Sequence, residues 1–487
     1  MQGTGESNKA PAFSPKNFLV NRILLLRQGL GGEDIGNKSI DIGQAVRKIT
    51  ITESIYQNGI NVDLNIIDED KILDRIRVNG TEKIHIDISR NETNEEFFKL
   101  NLSVFSVDSF SEVTPGIQGY IIRCVSDHII ENQSKTISQE FSDISKKIKD
   151  IASGDLNILI NNLEISKVSE TCTGIIPKMK PLAAINWLTR NITDAGLPYY
   201  FYETTQGKVK LKSQLTMIND EYDDQEYINR THINLLDEKD KLANFEKDLY
   251  DFEKHTIEKM NSKLNFSGFN SLANGVYGSN KYSVDIYRKS YKTAKKHEFS
   301  DSGLINKEKP FPEKFIEDKE LTGRNFYLNL NSGAFDAEAG FELPSGNYHS
   351  IVDDSIQQRE QYYHGLDTHS QEIVVPGDFN IEVGKTINLR ILNNTFNSVT
   401  LPDGEDNGEE DKNASGKYLI TSLVHVFEDQ RFLTRLVCKK DSFVENQDTP
   451  IDYFTKPDNT QPGNISITTS DRVIDTDDVK IIPITIG

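Results

Sequence analysis

Apolar residues at every second position, in short runs cut by turns, recur at both ends of this chain and constrain its fold more than any other feature. Near the start, Ile60, Val62, Leu64 and Ile66 alternate with polar neighbours. The period returns at Ile84, Ile86 and Ile88, at Phe98, Leu100, Leu102 and Val104, and at Tyr120, Ile122 and Cys124. A period of two places such side chains on one face of a strand. Asn58-Gly59, Asn79-Gly80 and Pro115-Gly116 supply turn chemistry between the runs. Short half-buried strands of this kind build a small antiparallel sandwich or barrel. Late in the chain, GDFNIEVGKTINLRI aligns Phe379, Ile381 and Val383, then Ile387, Leu389 and Ile391 beyond Gly384. KYLITSLVHVF and RFLTRLVCKKDSF add two strands joined at Glu428-Asp429-Gln430. The expected barrel cores are Val62, Leu64, Leu100, Leu102, Leu389, Ile420, Val424 and Leu436.

The middle of the chain reads differently. Ile137, Phe141, Ile144, Ile148 and Ile151 step by four and three, which predicts a helix with Thr136 and Gln139 as capping box and Gly154 as stop. Its outward Lys146, Lys147 and Lys149 read as a solvated face in preference to a binding surface. LNILI and NLEISKV are strand-like, and a second helix opens at Pro181, buries Ile185, Leu188 and Ile192, and ends at Gly196. YYFYETTQGKVKLKS predicts a hairpin across Gln206-Gly207. Trp187, the only tryptophan, is read as a cap on the helix–sheet core in preference to a contact anchor. Acids and bases interleave over 218–260, predicting solvated helices, and 298–370 carries few periodic signals. The acidic stretch 403–414 has almost nothing to bury, so it is expected to be mobile and dispensable for folding.

The fold class is therefore mainly β with α+β insertions: two small antiparallel β-barrels, a mixed α/β domain and a helical charged insertion. Residues 1–38 form an N-terminal extension and 39–130 the first barrel. Residues 131–217 hold a helix and the mixed domain, and 218–372 the charged insertion. The second barrel spans 373–445, and 446–487 is an extended C-terminal arm. In that arm Pro450, Pro457 and Pro462 discourage a helix, while Ile465, Ile467 and VKIIPITIG offer short segments that could add to a sheet edge.

Composition removes several function classes. Lys plus Arg is 55 against 75 acids, a net charge of −20, which argues against a protein that grips nucleic acid or an anionic membrane. Cys124, Cys172 and Cys438 lie too far apart for a zinc ribbon or redox pair and read as reduced buried thiols. No apolar run reaches the roughly 18 residues of a membrane span; FLVNRILLL is broken by Asn21 and Arg22. The opening MQGTGESNKAPAFSPK is too polar for a signal peptide.

Three motifs imitate chemistry. Gly377 to Thr386 ends like a phosphate loop, but its glycines Gly377 and Gly384 enclose six residues where that loop needs four. Asp403, Glu405 and Asn407 open like a calcium loop, whose twelfth position, a bidentate Glu, is Ala414 here. His364 and His369 have a zinc-like gap, but no cysteine lies nearby, and both are read as loop histidines. No catalytic, cofactor-binding or metal-binding residue is assigned, no cofactor is expected, and the chain is read as not an enzyme.

GDFNIEVGKTINLRI, the acidic loop and SGKYLITSLVHVFEDQRFLTRLVCKKDSF resemble the second β-barrel of baseplate hub proteins from contractile-tailed bacteriophages. Related barrels occur in the hub part of type VI secretion spike proteins. The matching positions are Gly377, Gly384, the run Ser415 to Tyr418, His425, Asp441 and Ser442. KPLAAINWLTRNITDAGLPYYFYE looks like the small mixed domain that such hubs place between two barrels. The resemblance implies a structural hub: a homotrimeric ring joining the tail tube to the membrane-piercing spike and allowing DNA passage. It implies as partners the central tail spike protein, a tail tube or tube-initiator protein and other baseplate proteins, with the tape measure protein as a further candidate. Neither sequence-specific nucleic acid binding nor stable membrane anchoring is expected. The location implied is the virion tail baseplate, assembled in the host cytoplasm. The alternatives are a carbohydrate-active β-protein enzyme and a host-surface adhesin.

Overall fold

The computed structural model describes residues 14–27, 39–73, 78, 80–90, 96–168, 173–190, 192–229, 250, 253–264, 268–285, 290–311, 323–329, 348–391 and 410–445. The early alternating runs form β1 (Leu19–Leu26), β2 (Ser39–Asp41), β3 (Val46–Ser54), β4 (Asn61–Asp68), β5 (Lys83–Ser89), β6 (Phe97–Thr114) and β7 (Ile117–Ser126). This half takes in β1, upstream of the boundary read at residue 39, because β1 pairs with both β2 and β5. Inward side chains of these strands meet in one core that includes Ile23, Ile51, Leu64, Ile86, Leu100 and Ile122.

The middle segment holds α1 (Asp127–Ser134), β8 (Glu140–Phe141), α2 (Ile144–Asp150), β9 (Leu163–Ile165), β10 (Gly174–Ile175), α3 (Pro181–Arg190), β11 (Thr193–Asp194), β12 (Leu197–Thr204), β13 (Lys208–Ser213) and α4 (Gln214–Asn219). The predicted hairpin is present: β12 pairs antiparallel with β13 and turns at Gly207, whose φ is +71°. The predicted helix starts eight residues later than expected, at Ile144, and continues as a π-helical turn over Ile151–Asp155, so it ends beside the predicted Gly154 stop. Ile137 bridges to Met179, Phe141 pairs with Gly174, and α2 starts only where the Asp143 side chain accepts from Lys146 N at 2.9 Å. All five stripe residues are nevertheless buried, because short extended pieces and a helix share the work given to one helix. LNILI is not a strand, and of NLEISKV only β9 is. Gly196 does not stop α3, which ends at Arg190. With Ala195 it forms the two-residue turn between β11 and β12, both at positive φ.

Within 218–372 lie β14 (Glu221–Asn229), β15 (Lys259–Leu264), α5 (Gly268–Asn274), β16 (Gly278–Asp285), β17 (Ser290–Glu298), β18 (Arg324–Asn329) and α6 (Tyr348–Gly365). The expectation of solvated helices over 218–260 fails at both ends of that span. β14 runs parallel to the late strand over 386–391, and β15 pairs at the sheet margin. Their charges suit strands near an edge, where like surfaces must be kept apart. Most of the intervening 230–252 lies outside the described residues. α6 carried no hydrophobic period because its buried face is largely polar. Gln357 Nε2 donates to Ser279 O at 3.0 Å and Gln361 Nε2 to Ser300 O at 2.6 Å.

The late runs form β19 (His369–Pro376), β20 (Thr386–Ile391), β21 (Gly416–Glu428) and β22 (Arg431–Lys440). β21 pairs antiparallel with β3, so both halves belong to one 13-stranded sheet. A second core is built on Ile373, Leu389, Ile420 and Leu436, while Phe379, Phe427 and Phe432 of the late segment join the first. The fold is mainly β, and no described pairing closes either half into a barrel. Seven of the eight expected core residues are buried; Val424 is not. A bulge between Ile420 and Ser422 shifts the alternation by one, so Leu423, His425 and Phe427 turn inward instead. Phe379, Ile381 and Val383 are buried as expected, but in an irregular segment, not a strand.

Of the acidic stretch 403–414, residues 403–409 lie outside the described residues. The end of that stretch is anchored. Asp411 Oδ1 accepts from Asn413 N and Ala414 N, while Lys440 Nζ donates to the carbonyls of Asn413 and Ser415 at 2.7 Å each. Burial pulls the Lys440 ammonium down to about 7, with Asp411 acting the other way. Deleting 403–409 is expected to leave the thermal midpoint within a few degrees. Asp411→Ala should cost about 1–2 kcal/mol in denaturant unfolding, since two buried-side donors lose their acceptor. Equal effects of the two changes would contradict this division.

Candidate functional site

The residues that carry the sequence resemblance converge on the joint between the two halves and on the closing strands of the second. Gly377 donates its N–H to Phe432 O at 2.8 Å, and a Cβ there would stand 2.1 Å from the Phe432 ring. Only glycine permits that approach. The ring belongs to a cluster: Phe427 and Phe432 stack at 4.2 Å, and Phe98 lies 4.7 Å from Phe379 and 5.0 Å from His425. His425 is fully buried, so desolvation pulls its imidazole down to about 3 and keeps it neutral, and Nδ1 shares a hydrogen bond with Thr434 Oγ1. Ser415 bonds both backbone groups of Ile391, and Gly416 holds φ at +120°. Buried Asp441 accepts from Ile305 N at 3.0 Å, and Asn306 N donates to Ser442 Oγ at 2.7 Å. These are fold-closing contacts, not chemistry.

Two buried ionisable side chains lock the joint. Arg90, at the end of β5, donates to Gly377 O at 2.7 Å and to Pro15 O, pairs with Glu96, and lies over the Phe379 ring at 5.1 Å. Glu53, at the end of β3, accepts from Thr205 N at 2.6 Å and Val383 N at 3.0 Å, so one carboxyl ties three segments. Lys210 pairs with Glu382 at 2.7 Å beside it. Sequence reading missed both, because a lone Arg or Glu in an alternating run looks like any outward polar position.

Beside the joint opens a pocket of about 460 Å³ between the β3–β4 loop, α3, β12 and α6. Tyr56, Tyr200 and Tyr363 form aromatic walls, and Arg190, Arg359 and Glu360 supply its charges. Burial opposes the charge on Glu360, but His364, Arg359 and Arg324 together hold its carboxyl below the usual range. At the far end of β7 the β6–β7 hairpin stands clear of the core, with Phe110 59 % and Val113 52 % exposed.

The imitated motifs are placed as follows. Gly384 sits in a turn at φ +80° against Tyr202, and Lys385 pairs with Glu382 at 3.6 Å. Lys385→Ala is therefore expected to cost about 1 kcal/mol or less, because buried Glu382 keeps its pairing with Lys210, and to alter no nucleotide-dependent property. A measured loss of ATP binding on that change would overturn the spacing argument. His364 and His369 are not loop residues: the first closes α6 on Glu360 at 3.3 Å, the second opens β19 in the core. Asp403 to Asn407 lie outside the described residues, as does Cys172. Trp187 packs edge-on against Phe141 at 6.2 Å, the capping role read for it. Cys124 and Cys438 are buried free thiols. Among the described residues no group of three or more His, Cys, Asp or Glu is placed to hold a metal, and no helix is long and apolar enough to cross a membrane.

No protein-family model and no curated protein sequence matches the chain. Its structural neighbours are phage tail and baseplate proteins and proteins of type VI secretion. The 43 kDa tail protein of prophage MuSo2 from Shewanella oneidensis is 12 % identical, with 87 % of this chain and 99 % of that chain covered at a TM-score of 0.47. A tail protein from Neisseria meningitidis MC58 is 8 % identical, with 87 % and 97 % covered at 0.46. The E. coli c3393 protein, described as a component of the type VI secretion system, is 8 % identical, with 81 % and 73 % covered at 0.39.

Proposed function

We propose that this chain is a structural hub of a phage tail baseplate. Three copies form a ring that joins the tail tube to the central spike and leaves a passage for DNA. The observation that carries the reading is where the hub-like sequence falls. Gly377, Gly384, Ser415, Gly416, His425, Asp441 and Ser442 each hold a close approach, a special turn or a buried bond in the second β-half. They are residues such a fold needs, so the resemblance is one of architecture. Two cores, one centred on each half, with the halves joined through β3 and β21, support reading each half as one small barrel-like unit of a six-unit ring. The perturbed buried groups Glu53, His425 and Asp441 all face protein partners, which supports a non-enzymatic role. Partners under this reading are the spike, the tube or its initiator and neighbouring baseplate proteins, and the place of action is the virion tail.

Size-exclusion chromatography with light scattering tests this directly. A stable trimer that co-purifies with its spike protein is the expected result, and a monomer with no spike affinity would remove the hub reading. The arm over 446–487, which lies outside the described residues, is proposed to serve neighbouring chains. Truncation after Asn446 should leave a folded chain that assembles poorly, and full assembly of the truncated chain would remove that assignment.

A further inference from the structure

We propose that the β6–β7 hairpin tip of one copy of this chain seats in the aromatic, cationic pocket of the next, with Phe110 entering the pocket and Glu112 pairing with Arg190. The contact deepens the homotrimer reading and rests on it. The tip remains strand-paired and is exposed. β6 and β7 stay paired out to Thr114 and Ile117, across a bulge where Ser109 takes φ +59°, and the Phe110 ring leans on Tyr120 at 5.7 Å. From Asp108 to Gln118 the tip carries two acids and no base. Arg123 occupies Asp108 at 2.9 Å, whereas Glu112 is exposed and has no ion pair among the described residues. Exposed aromatic and β-branched side chains gathered at a projecting tip mark a contact surface.

The pocket is the complement in charge and shape. Arg190 is exposed and has no ion pair among the described residues, and the buried Nε of Arg359 has no hydrogen-bond partner. The one lining carboxylate, Glu360, already serves Arg324 at 3.2 Å, Arg359 at 2.6 Å and His364 at 3.3 Å. Donors are left in excess, so the site takes an acidic, ring-bearing group. Its volume of about 460 Å³ has room for a phenyl ring with a neighbouring side chain.

The same strands show why the occupant is a second copy. Asn58 of the pocket adjoins the end of β4 where Asn61 pairs with Val125, while the hairpin tip lies beyond the other end, where Asp68 pairs with Gln118. At about 3.3 Å per residue, the seven steps of β4 alone separate them by roughly 23 Å. The tip cannot fold back into its own pocket. A contact between two different patches must either close into a ring or polymerise, and three copies can close.

Charge reversal tests the pairing, because both residues are exposed and tolerate substitution without unfolding. Self-association should be measured by sedimentation equilibrium for wild type, Glu112→Arg, Arg190→Glu and the double variant. Each single change is expected to weaken association tenfold or more, and the double change to return it to within threefold of wild type. Phe110→Ser, checked for unchanged circular dichroism, should weaken it at least as much as either single reversal. Single variants within threefold of wild type, or a double variant no better than the singles, overturn the contact and leave the pocket to another occupant. If wild type itself is monomeric at every concentration, the ring reading falls as well. A self-associating wild type indifferent to all four changes removes only the hairpin-to-pocket contact.

Discussion

Replacing Arg90 with Ala should lower the unfolding free energy by about 3 kcal/mol, the low end of what breaking a buried charge pair costs. Arg90 is 6 % exposed, and its guanidinium ties three parts of the chain: the carbonyls of Pro15 and Asn17, the carboxylate of Glu96, and the carbonyl of Gly377 with the face of Phe379. Removing it strands three carbonyls and a partly buried carboxylate at the joint of the two halves. Glu96 can turn toward water, which is why the low end is chosen. Arg90→Lys should recover less than half of the loss, since an ammonium cannot reproduce a planar fork that donates in several directions while covering a ring. Equilibrium denaturation of the three proteins decides the matter. A loss under 1 kcal/mol for the alanine variant, or full recovery by lysine, would show that the joint is held by the aromatic cluster alone.

Arg90 also shows what the sequence could and could not disclose. Strands whose two faces differ were legible, because Val62, Leu64, Leu100 and Leu102 alternate with residues that face away from the core. The resemblance positions were legible for a related reason: glycine at Gly377 and Gly384 is required by a backbone approach and a turn, so it marks its place in any such chain. Legibility ended wherever polar residues took over the interior. α6 buries Gln357 and Gln361, β14 is a charged strand, and α2 begins only at the Asp143 cap. Hydrophobic periodicity cannot register any of these. Val424 failed through a single inserted residue, since a bulge reverses every side chain beyond it without altering composition. The pocket and the hairpin tip were illegible for another reason: their residues come from distant segments, or are singly ordinary surface aromatics and charges. The joint itself needed tertiary information, because β3 and β21 are far apart in the chain and nothing local pairs them.

Glu53 is expected to withdraw stability as pH rises from about 4.5 to about 8. The buried imidazoles of His369 and His425 act in the opposite sense below about 6.5, so the contribution of Glu53 is read against a variant. Burial pushes its carboxyl up to about 8; the N–H groups of Thr205 and Val383 pull it down, Glu382 pushes further up, and Lys210 pulls down. In the unfolded chain the same group ionises near 4.5. Below that pH both states hold the proton, and the whole contribution of Glu53 is present. Between the two values only the unfolded state releases it, so each unit of pH weakens the fold. Above the higher value both states are ionised, and the loss is complete at on the order of 4 kcal/mol. Glu53→Gln separates this from other titrations. A glutamine offers one acceptor oxygen where two backbone donors need one each, so the variant should be about 1–3 kcal/mol less stable at pH 4.5. It has no proton to lose, so its profile should lack the decline contributed by Glu53. The two curves should therefore cross, with the variant equal to or more stable than wild type by pH 8.5. Urea unfolding at half-unit pH intervals measures both profiles. Parallel curves would mean that Glu53 is already ionised in the folded protein at pH 5, with Lys210 and the two N–H groups outweighing its burial.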